Sequence, residues 1–87
     1  TNQRMRRLLR KKTPMEPDDL AWLLGQSYAA LVEDFELDQL ASSSGAEPMF
    51  PPNTLEERQR LFAAANAAAG KNRLNDVENN LRSFWSI

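Results

Sequence analysis

The sequence predicts an all-α fold: a small bundle of three main helices with a short basic helical arm at its N-terminus. Three observations carry this. Apolar residues recur at intervals of three and four over most of the 87 residues, which is the period of an amphipathic helix. The five prolines fall in two clusters, 14–17 and 48–52, between such stretches. Thr54-Leu55-Glu56-Glu57 has the form of a helix-starting capping box. A chain this short buries only about 60–65% of its extended surface, enough for one compact core with little to spare.

The arm comes first, over residues 1–12. Met5, Leu8 and Leu9 stand at i, i+3 and i+4 and form a narrow apolar stripe, with arginines on the other faces. A helix shorter than about 12–15 residues rarely holds alone in water, so this one needs a surface to lie on. Residues 13–87 follow as a single helical domain. Pro14 and Pro17 end the arm, and either suits the first turn of the next helix. Asp18 and Asp19 then stand where the helix dipole favours negative charge.

The second helix is expected over about 17–41. Leu20, Leu23, Leu24, Ser27, Leu31 and Phe35 trace one face, widened by Tyr28, Val32 and Leu40. Gly25 inside this pattern costs roughly 1 kcal/mol relative to alanine and is read as a close helix–helix contact. Asp34-Phe35-Glu36-Leu37-Asp38 alternates like a strand, but it lies within a long helical pattern and is read as helix. Residues 42–53 form a linker rich in serine, glycine and proline. The third helix, 55–69, starts at the Thr54 box and buries Leu55, Leu61, Phe62, Ala65, Ala68 and Ala69, with left-handed Gly70 as its stop. The fourth, 72–85, places Leu74, Val77, Leu81 and Phe84 on a two-heptad seam. So short a connection makes helices three and four an antiparallel hairpin.

Composition then removes whole classes of function. The chain contains neither cysteine nor histidine, which excludes disulfides, zinc–thiolate sites, thiol nucleophiles and the usual general base. Glu33, Asp34, Glu36 and Asp38 are the candidate paired carboxylates, but a charge run of this kind reads as a solvated acidic face. No EF-hand loop is present, and Gly70-Lys71-Asn72 lacks the rest of a phosphate-binding loop. The chain is therefore read as no enzyme, with no cofactor. It has no apolar run long enough to span a membrane and no signal peptide, which together with the lack of cysteine points to the cytoplasm.

The net charge of −1 conceals a segregation. Residues 1–12 carry six cations and no acid, while residues 13–50 carry eight acids and no cation. Arg4, Arg7 and Lys11 share one face of the arm, Arg6 and Arg10 another, and Lys12 follows. Such an arm suits phosphates or an acidic protein groove; without aromatic residues it would read nucleic-acid backbone more than base sequence. Three apolar residues make it a thin membrane anchor.

Four large apolar residues stand out as partner anchors. Met49 and Phe50 lie between prolines like a short linear motif. Trp22 falls off the main stripe of the second helix, and Trp85 lies in the apolar ending Phe84-Trp85-Ser86-Ile87. The expected function is a non-enzymatic protein–protein interaction module, an adaptor or regulator. Its partner is another protein or a second copy joined through the Leu74–Phe84 seam and Trp22. The alternative is a nucleic-acid-associated protein that contacts phosphates through Arg4, Arg6, Arg7, Arg10, Lys11 and Lys12. A third class, a structural segment of a longer polypeptide, is consistent with a first residue, Thr1, that is not methionine.

Overall fold

The computed structural model describes residues 2–10, 14–43, 45 and 54–85. They form four helices and no strand: α1 (Asn2–Arg10), α2 (Pro17–Ser43), α3 (Leu55–Gly70) and α4 (Leu74–Phe84). The all-α class and the small bundle are those the periodicity predicts.

Local signals explain the boundaries. Pro17 opens α2, where its missing N–H costs nothing, and Asp18 and Asp19 occupy the first turn. The Leu20 N–H closes the first turn onto the Glu16 carbonyl at 3.0 Å. The alternating stretch 34–38 is helical, as the surrounding pattern required. Thr54 caps α3 in an extended conformation, its Oγ1 accepting the Glu57 N–H at 3.1 Å. The α3–α4 turn departs from expectation. Gly70 is the last residue of α3, and the left-handed residue is Asn72, at φ 56°. Asparagine tolerates that conformation, and the N–H groups of Lys71 and Arg73 return to the Ala68 carbonyl. With Asn72 making the turn, α4 starts at Leu74 rather than at 72.

Contacts fix the topology. Arg58 lies opposite Asp34, and Phe62 lies against Tyr28, so α3 runs antiparallel to α2. The hairpin returns α4 alongside, parallel to α2, with Glu78 at the level of Met15 and Trp85 at that of Ser27. The core between them is built from Leu20, Leu23, Ala65, Ala68, Val77 and Leu81, closed on one side by Leu8 and Met15. Ala65 and Ala68 let α3 approach closely, and each fully buried leucine contributes about 1.5–3 kcal/mol. Leu8, only 6% exposed, gives α1 the surface its short helix requires.

The helices differ in length, and this decides what is covered. At 1.5 Å per residue α2 runs about 40 Å and α4 about 16 Å, and the longest dimension of the molecule is 42 Å. Because α4 ends at Phe84, the second half of α2 has α3 as its main described neighbour. Tyr28, Val32, Phe35 and Leu40, expected on the buried face, are exposed, Tyr28 by 58% and Leu40 by 67%, because the inward face of α2 runs through Leu20, Leu23, Ser27, Leu31 and Asp34. Leu55, Phe62 and Ala69 of α3 are half-buried, and Leu74, at the turn end of its seam, is exposed.

Gly25 is a further correction. It faces solvent, and a Cβ built there meets nothing within 4 Å, so it marks no helix–helix contact. Gly25→Ala should therefore stabilise the fold by roughly 0.5–1 kcal/mol through helix propensity. Urea unfolding measures this; a loss of stability would show that the position is tightly packed.

Candidate interaction surface

The basic arm is fastened by side chains that the charge pattern did not single out. Glu78 lies on α4 and is 2% exposed. Its Oε1 accepts the Met15 N–H at 2.6 Å, and its Oε2 accepts Arg82 Nε at 3.2 Å. Arg82 Nη1 in turn donates to the Leu9 carbonyl at 2.8 Å. A cation thus meets the C-terminal end of α1, where the dipole favours it. A buried carboxylate also satisfies the backbone N–H of the connecting segment. The clasp holds α1 in one orientation over the core. Two sequence signals mark it: Glu78 is four residues from Leu74 and three from Leu81, beside the seam, and Glu78 and Arg82 are an i, i+4 pair.

Orientation decides which arginines are available. Arg4 stacks on Trp22, its Cζ 4.3 Å from the ring centroid, and lies 3.8 Å from Asp19. Arg6, Arg7 and Arg10 are exposed around an open depression that also takes in Gln3 and Leu8. Lys11 and Lys12 lie outside the described residues, as do Met49 and Phe50.

Both tryptophans engage their own chain. Trp22 is half-buried against the core and beneath Arg4. Trp85 is also half-buried, and its Nε1 donates to Ser27 Oγ at 2.8 Å. The Ser27 hydroxyl in turn donates a hydrogen bond to the Leu23 carbonyl at 2.8 Å, so a fully buried polar residue is satisfied. Val77, Leu81 and Phe84 of the Leu74–Phe84 seam are buried in the chain's own core, which leaves Leu74 alone of that seam at the surface.

Arg58 is a second node. Its Nε lies 2.8 Å from Asp34 Oδ2, and its Cζ sits 4.2 Å over the Phe84 ring and 5.8 Å from that of Trp85. Its Nη1 donates to the Phe84 carbonyl at 3.4 Å, at the end of α4. The Nε–H is not aimed at the carboxylate, so that contact is a charge pair rather than a hydrogen bond. Burial pushes the Asp34 carboxyl above its ordinary value; Arg58 opposes the shift and Glu33 adds to it. Arg58 could have been noticed as the first cation after the cation-free run that begins at Thr13.

What remains facing solvent on α2 is apolar and acidic. Tyr28, Val32 and Phe35 share one face at i, i+4 and i+7, and Phe62 of α3 stands beside Tyr28 with ring centroids 5.7 Å apart. Glu36 is exposed next to this strip, one turn on from Val32, and Glu33, Leu37 and Leu40 are exposed further round the helix. Asp34 and Asp38 turn inward and are half-buried, so the acidic run is not one uniform face. Among the described residues, no group of three or more carboxylates is placed to hold a metal ion, and no helix is long and apolar enough to cross a membrane. Comparison with known proteins returns no match: no family model fits the chain, and no curated protein or solved structure is significantly similar to it.

Proposed function

We propose that the protein is a non-enzymatic helical interaction module, an adaptor or regulator, that engages another protein through the second half of α2. One observation carries the reading. Tyr28, Val32 and Phe35 are large, share a helix face, and stay in water where α2 extends past the end of α4. Contiguous apolar surface of this kind marks protein contact sites, and i, i+4, i+7 is the anchor spacing of helix-in-groove recognition. The test is a pull-down from extract of the source cells, comparing the parent protein with Val32→Gln/Phe35→Gln of equal helicity. A prey held by the parent alone supports the module. Equal capture by both proteins overturns it.

A second reading rests on the arm. The Glu78–Arg82 clasp presents Arg6, Arg7 and Arg10 on a docked helix, a display suited to a phosphate backbone. It predicts a DNA mobility shift that fades with salt and is lost in Arg6→Gln/Arg7→Gln/Arg10→Gln. A shift that survives those changes rules out the arm as the grip.

A further inference from the structure

We propose that the partner segment received by α2 is a basic amphipathic helix; this rests on the interaction reading above and specifies its chemistry. Tyr28, Val32 and Phe35 supply three apolar anchors in line, with Phe62 as a wall beside Tyr28. Glu36, one turn on from Val32, borders the strip on its solvent side, and exposed Glu33 follows further round the helix beside Leu37 and Leu40. No cation occurs from residue 13 to residue 57. The first that follows, Arg58, is already held 2.8 Å from Asp34. The strip's acidic border therefore has no cation from its own helix to balance it.

Charge excludes the other occupants. A second copy docking α2 against α2 would bring two rows of Glu33 and Glu36 together, where like charges oppose association. The arm of a second copy is basic and amphipathic, but its Leu8 is buried in its own core and Arg82 holds its Leu9 carbonyl. Nucleic acid and anionic lipid would meet glutamates on this face. A helix with apolar residues at i, i+4 and i+7 and lysine or arginine on its flanks satisfies both parts of the surface, placing cations against Glu33 and Glu36 while its stripe covers Val32 and Phe35.

Two synthetic amphipathic peptides of identical apolar stripe provide the test, one with a lysine/arginine polar face and one with a glutamate polar face. Each is titrated into the full chain while amide NMR signals are followed. The expected result is movement of the Val32 and Phe35 signals by the basic peptide, with affinity roughly tenfold above that of the acidic one at low salt. That gap should narrow as salt rises. Glu33→Gln/Glu36→Gln should close it while leaving the fold intact, and Val32→Gln/Phe35→Gln should weaken both peptides. Equal affinity for the two peptides overturns the proposal. So does binding that moves only the α1 signals, or a chain that binds neither peptide and doubles in mass with concentration. The cationic partner alone is lost if the peptides fail while prey capture still depends on Val32 and Phe35. The interaction reading falls too if capture is indifferent to both residues.

Discussion

Glu78→Ala is expected to cost about 2–4 kcal/mol and to loosen the basic arm before the rest of the fold. The substitution leaves the Met15 N–H buried without its acceptor, which alone costs about 1–3 kcal/mol. It also removes the carboxylate that receives Arg82 Nε. Breaking a fully buried pair costs about 3–5 kcal/mol, and the partial exposure of Arg82 places this one lower. Hydrogen exchange reports the order of events: amides of Leu8 and Leu9 should lose protection while those of Leu23 and Leu81 keep it. Glu78→Gln retains an acceptor for Met15 and should lose about half as much. A Glu78→Ala protein as stable as the parent, with α1 still protected, would show that Leu8 and its neighbours hold the arm unaided.

Arg58→Ala should cost about 2–4 kcal/mol at neutral pH, because one side chain joins three helices. It pairs with Asp34 of α2, covers the Phe84 ring and donates to the carbonyl at the end of α4. The loss should depend on pH. Asp34 titrates above its ordinary value in the folded chain, so between pH 3.8 and its raised value the native state binds more protons than the unfolded state. Stability contributed by this group is complete below that window and declines as pH rises through it. Removing Arg58 takes away the charge that opposes the shift, so the decline should steepen. Asp34→Asn should abolish it. Urea midpoints of the parent and both variants across the acid range measure the effect, and an unchanged slope in Arg58→Ala would contradict the pairing.

Periodicity and capping made most of the fold legible. Thr54 and Glu57 announced the start of α3, the two proline clusters separated the elements, and Leu20, Leu23, Val77 and Leu81 stood at core spacing. A period identifies which face of a helix turns inward, but not how far the neighbouring helices reach along it. The inward face of α2 passes from Leu20, Leu23 and Ser27 to Leu31 and Asp34, so Tyr28, Val32 and Phe35, on the adjoining face, are left toward water. The tryptophans were harder to place, since an amphipathic ring serves a core and an interface equally well. Ser27 decided Trp85, and Arg4 covered Trp22, through contacts distant in sequence. Glu78 and Arg82 were least legible, because a charged residue beside a seam normally lies in water and only the returning arm buries this one.

The fold spares Val32 and Phe35, and equilibrium urea unfolding of Val32→Gln/Phe35→Gln tests this most directly. Both positions are half-open, glutamine is a good helix former and its stem keeps part of the contact, so a loss under about 2 kcal/mol is expected. Leu23→Ala, at a fully buried position, provides the reference at about 2–5 kcal/mol. A loss above about 3 kcal/mol in the double variant, matching that of Leu23→Ala, would place these residues in the core and contradict an α2 face kept for a partner.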